Sequence, residues 1–190
     1  MSASGGQRRF KKPPVWLRAA ERDELLHAIA DVRDKAIVTT FLFGGLRLNE
    51  LTHLDRGDVD FRYRTIRIRF AKGGKERTVG LHRLAEDAIR AYLDTRADDL
   101  PPLFLSNRRR RISNRAVQHL LDRHIKACGF NASKRVTPHK LRHTFATALM
   151  KASGRDIQVV QRALGHENIA TTTIYAHLDD DVLYQAMDRL

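Results

Sequence analysis

Cysteine is almost missing from this chain: Cys128 is the only one in 190 residues. That excludes an intramolecular disulfide framework and a zinc site built from cysteines, and it fits a reducing compartment. Long apolar runs are missing too. No stretch approaches the roughly 18 apolar residues a membrane helix needs, and the N-terminus lacks the apolar segment of a secretory signal. A cytoplasmic location is the expectation. Aromatic residues are scarce at 7%, yet a hydrophobic content of 42% suffices for one core, so a wholly disordered chain is not expected. Acidic residues are the remaining shortfall. Lys and Arg number 35 against 22 Asp and Glu, a formal charge of +13. Such an excess points to a polyanionic partner, nucleic acid ahead of an acidic membrane surface.

Length favours one domain with an appended arm. Residues 1–14, MSASGGQRRFKKPP, are small, polar and basic and end in a Pro pair. They read as a flexible arm or a linker stub, with Arg8, Arg9, Lys11 and Lys12 able to lie along phosphates. The expected boundaries are an arm or interdomain remnant over 1–19 and a folded domain over 20–190. From Ala20 the helical period takes over. Leu25, Leu26 and Ile29 share one stripe; Ala36, Ile37 and Phe41 continue it in a second helix, which Gly44 and Gly45 stop. Leu46, Leu48, Leu51 and Leu54 begin another. The period then switches. Ile66, Ile68 and Phe70 alternate with Arg67 and Arg69, a half-buried strand with a cationic outer face, and the glycine turn after Lys72 makes a hairpin or small sheet. Helical patterns return over 83–96 and 113–127, split by Pro101 and Pro102, an apolar run at 103–105 and the arginines of 108–111. Thr137-Pro138 is a helix start, a cap hydroxyl followed by proline in the first turn, for a helix to about Ala152. Residues 155–164 form another, ended by Gly165, before a short helix and the segment 179–190. The predicted fold is mostly α with one small antiparallel sheet near the front.

Three constellations carry chemistry. Between Arg62 and Arg83 stand Arg62, Arg64, Arg67, Arg69, Lys72, Lys75, Arg77 and Arg83, opposed within the stretch only by Glu76. A solvated mixed-charge face is the bland alternative. Alternation with apolar residues and the lack of local acids favour a phosphate-tracking surface, with Arg67, Arg69, Lys75 and Arg77 as DNA contacts. Next, in His139-Lys-Leu-Arg142-His143 a spacing of three puts His139 and Arg142 on one helix face, where a proton-transfer group and a guanidinium address one ligand. His143, one turn from His139, invites a zinc reading, but that motif wants a glutamate beside the first histidine and Lys140 stands there. No metal is expected. Last, Leu164-Gly-His166 holds a histidine just past a helix-stopping glycine, and Tyr175 follows a short Thr-rich helix. A lone tyrosine is more often a core residue than a nucleophile.

The set taken together changes that. Gly45-Leu46-Arg47-Leu48-Asn49-Glu50-Leu51, the Lys72 hairpin, His139-x-x-Arg142 and His166…Tyr175 occur in that order. From about residue 20 to its end the chain resembles the catalytic domain of the tyrosine recombinases, the phage-integrase and Xer-like family. The resemblance implies that fold and a site-specific DNA recombinase or integrase needing no cofactor. Tyr175 would attack a DNA phosphodiester, leaving a 3′-phosphotyrosine and a free 5′-hydroxyl; a phenol of pKa about 10 needs help to do so. Arg47 and Arg142 would grip the non-bridging oxygens of the scissile phosphate, a task for an always-charged planar fork, and stabilise a pentacoordinate transition state. Lys72 would protonate the departing 5′-oxygen, Lys75 being the alternative if the turn is registered differently. His139 would take the phenolic proton or bond the phosphate, and His166 would donate to a non-bridging oxygen. Glu50 would orient the arginine or the histidine without touching DNA. The intermediate keeps its bond energy, so rejoining needs neither ATP nor Mg²⁺.

The resemblance also implies partners. Besides double-stranded DNA, these include further copies of the chain. Val182, Leu183, Ala186, Met187 and Leu190 form an apolar stripe after Asp179, Asp180 and Asp181. In the family this piece docks on a neighbouring protomer, giving dimers to tetramers on DNA; the alternative is that it folds back on its own domain. The family's N-terminal core-binding domain is expected to be absent, since only about twenty residues precede the first helix. The chain then reads as an excised catalytic domain or as a natural short form like the fimbrial phase-switching invertases. Other readings stay open: a type IB topoisomerase-like relaxer, a non-catalytic DNA-binding protein of the same fold, and a histidine-metal nuclease, which Lys140 argues against.

Overall fold

The computed structural model describes residues 17–69, 76–130 and 136–165. The expected arm over 1–14 and the segment 179–190 lie outside the described residues. In chain order the elements are α1 (Ala19–Ala28), α2 (Val32–Gly44), α3 (Leu48–Thr52), a 3-10 turn (Arg56–Asp58), β1 (Val59–Asp60), β2 (Thr65–Ile68), β3 (Arg77–Gly80), α4 (Arg83–Asp94), α5 (Asn114–Ala127), α6 (Pro138–Ala152) and α7 (Ile157–Leu164). The fold is mostly helical with one small antiparallel sheet, as expected. That sheet has a third strand, β1, in the order β1-β2-β3. At two residues β1 is too short to show an alternating pattern. Among the described residues no helix is long and apolar enough to cross a membrane.

Helix α2 is the centre, with α1, α3, α4, α5 and α6 all packed on it. Its pattern suggested a stripe through Ala36, Ile37 and Phe41. Val38, Thr39, Thr40 and Leu42 are buried as well, which makes α2 a helix enclosed on all sides. The threonines tolerate this because their hydroxyls donate to the carbonyls of Lys35 and Ala36, each at 2.7 Å. Leu25, Phe41, Leu51, Ile66, Ile89 and Leu121 belong to the same core. Burying one such side chain fully contributes about 1.5–3 kcal/mol. A separate, much smaller cluster of Ala146, Met150, Val160 and Leu164 joins α6 to α7.

Three local devices place the functional segments. Gly45 ends α2 in the left-handed region at φ 59°, and a Cβ there would lie 2.3 Å from the Phe145 ring. Conformation and space both demand glycine, and Arg47 follows at the start of α3. Thr137 caps α6, its hydroxyl accepting the Lys140 N–H at 3.3 Å with Pro138 in the first turn. That cap sets His139 in the first turn and Arg142 in the next. In the sheet, Ile66 lies opposite Val59 and Val79, and Ile68 lies opposite Arg77. Side chains alternate across a strand, so Arg77 shares the buried face of Ile68 and Val79. Arg67, paired with Thr78, looks outward.

Candidate active site

Glu50 is where the site's arginines meet. Its side chain is only 1% exposed. One carboxylate oxygen accepts the Arg47 backbone N–H at 2.7 Å, the acidic half of a capping box, and the other accepts the Arg47 guanidinium at 2.8 Å. Arg77 reaches in from β3 and donates to both oxygens, at 2.6 and 2.7 Å. Arg142, from α6, lies 3.9 Å from Oε2. Three guanidiniums from three elements thus surround one carboxylate. Burial alone would raise the Glu50 pKa. Hydrogen bonds from the Arg77 side chain and from the Arg47 backbone and side chain overcome that and hold it at about 2, so Glu50 is charged at neutral pH.

Arg142 is positioned by main chain. It donates to the Gly45 carbonyl at the end of α2 and to the Leu164 carbonyl at the end of α7, the latter at 2.8 Å. Helix α7 stops at Gly165 with φ 61°, and a Cβ there would sit 2.4 Å from Cδ of Arg77. The glycine therefore leaves room for Arg77 to lie against the helix end. Side-chain exposure rises from 6% at Arg142 through 13% at Arg77 to 34% at Arg47. Of the three, Arg47 is the one most open to a ligand.

His139 is exposed in the first turn of α6. Its Nε2 is 2.9 Å from Nε2 of His143, the rings edge to face. Burial, then the charges of His139 and Arg142, lower the His143 pKa; which ring donates in that bond follows the tautomers. Among the described residues no three His, Cys, Asp or Glu side chains group to hold a metal ion.

Lys72, Lys75, His166 and Tyr175 lie outside the described residues. The remaining expected DNA contacts need correcting in their surroundings. Arg69 bonds Asp55 at 2.5 Å and Asp58 at 2.8 Å, and Arg67, 55% exposed, lies 3.6 Å from Asp58. Arg64 pairs with Glu86 at 3.1 Å. The stretch is therefore not short of acids: they come from the 3-10 turn and α4 rather than from within it. Arg77 departs most, because the sheet register turns it inward onto Glu50 instead of leaving it on the cationic outer face. In the arginine cluster, Arg108, Arg109 and Arg110 are exposed, while Arg111 turns in to the Thr52 and Leu54 carbonyls.

The sequence model of the Phage integrase family matches residues 15–181. The chain belongs to the phage integrase family. Tyrosine recombinase XerC of Caldanaerobacter subterraneus subsp. tengcongensis is 38% identical over 183 residues, covering 93% of this chain and 51% of that protein. Tyrosine recombinase XerA of Thermococcus kodakarensis is 38% identical over 187 residues, 94% of this chain and 64% of the relative. Among solved structures, a XerA recombinase superposes with a TM-score of 0.81 at 36% identity, covering 94% of this chain and 66% of the other. XerH site-specific recombinase, bound to a palindromic difH substrate in a post-cleavage complex, gives 0.79 at 27% identity, with 96% and 55% covered. This chain thus spans between about half and two-thirds of the length of these relatives.

Within this phage integrase family member, two parts of the site escaped the sequence reading. The carbonyls of Gly45 and Leu164 carry no side-chain signal; only the helix stops beside them do. The inward face of Arg77 had one, since Val79 stands two residues on and an apolar residue marks the buried face of a strand.

Proposed function

We propose that this chain is the catalytic part of a site-specific DNA recombinase or integrase acting through a phosphotyrosine. The observation that supports it most is the approach of Arg47 and Arg142, 95 positions apart, to the same buried carboxylate. Among the described residues, three guanidiniums against one acid leave an excess of two positive charges at that point. A DNA phosphate, with two non-bridging oxygens for two planar forks, satisfies it. Relatives named as tyrosine recombinases, and one crystallised after cleaving DNA, support the same reading.

In this reading the Tyr175 oxygen bonds to phosphorus while the bond to the 5′-oxygen breaks. The phenolic proton goes to His139, and Lys72, with Lys75 as the alternative, supplies one to the leaving 5′-oxygen. Arg47, Arg142 and His166 hold the non-bridging oxygens as charge builds on them, and Glu50 orients Arg47 through the Arg47 backbone N–H. Reversal of the same steps with a new 5′-hydroxyl rejoins the strand. Exposed Arg67 and the partly exposed Arg69 lie along the flanking phosphates, and segment 179–190 joins copies of the chain on DNA. The reaction belongs in the cytoplasm, where the chromosome is.

A nicked suicide duplex, from which the downstream fragment diffuses away, traps the covalent intermediate. Denaturing gels are expected to show protein on the 3′ end, absent for Tyr175→Phe and unaffected by EDTA. Adduct formed equally well by Tyr175→Phe would overturn the reading. Full DNA binding without adduct, on random and host-derived duplexes alike, would favour a non-catalytic DNA-binding protein.

A further inference from the structure

We infer that Arg77 is a positioning residue, a fixed counterion of Glu50 whose presence lets Arg47 leave that carboxylate for a phosphate. This deepens the reading above and rests on it. Four observations carry it. Register places Arg77 opposite Ile68 on the buried face of the sheet, away from the outward-facing Arg67. Both of its terminal nitrogens are engaged with Glu50, at 2.6 and 2.7 Å. Its stem lies against Gly165, where an added Cβ would come within 2.4 Å of Cδ and 2.6 Å of Nε. And Arg47 shares oxygen Oε1 of Glu50 with Arg77 while remaining 34% exposed.

The energetics follow from what each arginine leaves behind. A buried carboxylate stripped of its cations is strongly destabilising, whereas one that keeps a bidentate guanidinium is not. When Arg47 swings to a phosphate, Glu50 loses one guanidinium bond and retains the two from Arg77 and the Arg47 backbone N–H. Arg142 is no substitute: it stands 3.9 Å away and holds the Gly45 and Leu164 carbonyls. Without Arg77, Glu50 would compete with DNA for Arg47. Among the described residues, the charged groups facing Glu50 are Arg47 at the start of its own helix, Arg77 on β3 and Arg142 on α6. Protonating Glu50 in an Arg77-less protein would therefore release Arg47.

The test compares wild type, Arg77→Gln, Arg77→Lys and the double variant Arg77→Gln/Glu50→Gln. Suicide-duplex cleavage is measured from pH 5 to 8, DNA affinity is measured across salt concentrations, and all rates are expressed per folded molecule. Arg77→Gln is expected to cut adduct formation about 100-fold, the deficit shrinking toward acid pH, and to make the salt slope shallower by up to about 0.9, because Arg47 then stays on Glu50 instead of a phosphate. Arg77→Lys recovers part of the rate, and the double variant is faster than Arg77→Gln alone, because no carboxylate then retains Arg47. A double variant no faster than Arg77→Gln, or a wild-type rate in Arg77→Gln, overturns the inference. So does a salt slope that stays shallower by about 0.9 in the double variant, the mark of a phosphate contact made by Arg77 itself. Should Arg77→Gln not fold, Arg77→Lys with and without Glu50→Gln carries the same comparison. If wild type gives no adduct, the functional reading falls, and carboxyl NMR of Glu50 still decides on Arg77. A Glu50 titration unmoved by Arg77→Gln would then contradict the counterion role.

Discussion

Asp34 and Glu50 are both buried carboxylates ringed by cations, one at the start of α2 and the other in α3. Asp34 binds Arg33 at 2.9 Å, Arg123 at 2.5 Å and His124 at 2.9 Å. Burial pushes its pKa up, and hydrogen bonds from His124 and Arg33 bring it below the ordinary value, as happens at Glu50. The difference lies in where the cations come from and where they end. Those of Asp34 are its own neighbour Arg33 and, on α5, Arg123, which is 64% exposed. They fasten α2 to α5. Those of Glu50 come from α3, β3 and α6, and Arg142 goes on to carbonyls at the ends of two further helices. A buried acid with cations around it marks no site by itself; surplus charge gathered from separate elements does.

The sharpest way to break the comparison is to remove one cation from each cluster. Arg142→Ala is expected to lower suicide-duplex cleavage by about 1000-fold, in the range for loss of a preorganised transition-state donor, whereas Arg123→Ala leaves the rate per folded molecule unchanged. Neutralising each acid comes next. Asp34→Asn strands Arg33 and Arg123 and should cost about 3–5 kcal/mol in urea unfolding without altering cleavage by the folded fraction; Glu50→Gln should lower both. The third contrast is with pH. The Glu50 pKa falls from 4.5 to about 2 on folding. A depressed folded-state pKa stabilises fully above the unfolded value, so this contribution, about 3 kcal/mol, is present above about pH 4.5 and lost as pH falls toward 2. Acid unfolding of Glu50→Gln should lack that part of the slope. The smallest effects belong to the two caps. Thr137→Ala on α6 and Asp31→Ala on α2, whose carboxylate accepts the Asp34 N–H at 2.9 Å, should each cost about 1 kcal/mol. Only the first, which seats His139 and Arg142, should slow cleavage.

What could be read from the sequence divides along physical lines. Helices with a cap and a one-sided stripe were legible nearly to the residue: Thr137-Pro138 does open α6, and Gly45 and Gly165 do close α2 and α7. The enclosure of α2 was not, because Thr39 and Thr40 look polar until their hydroxyls bond the preceding turn. The family resemblance implied that Arg47, Glu50 and Arg142 share one site, and they do approach one another. Charge neutralisation over the hairpin is not legible in the sequence for a simple reason. Asp55, Asp58, Glu50 and Glu86 lie outside the stretch that was counted, and only the folded chain brings them to Arg69, Arg67, Arg77 and Arg64. Nor could a sequence show that the two glycine stops also make room, one for the Phe145 ring and the other for the Arg77 stem.

The most direct measurement is a crystal structure of the Tyr175→Phe variant bound to an uncut duplex containing its cleavage site. The guanidiniums of Arg47 and Arg142 should each lie within hydrogen-bond distance of a non-bridging oxygen on one and the same phosphorus, with Glu50 still held by Arg77. Arginines resting on different phosphates, or Arg47 still bonded to Glu50 while DNA fills the site, would contradict the account.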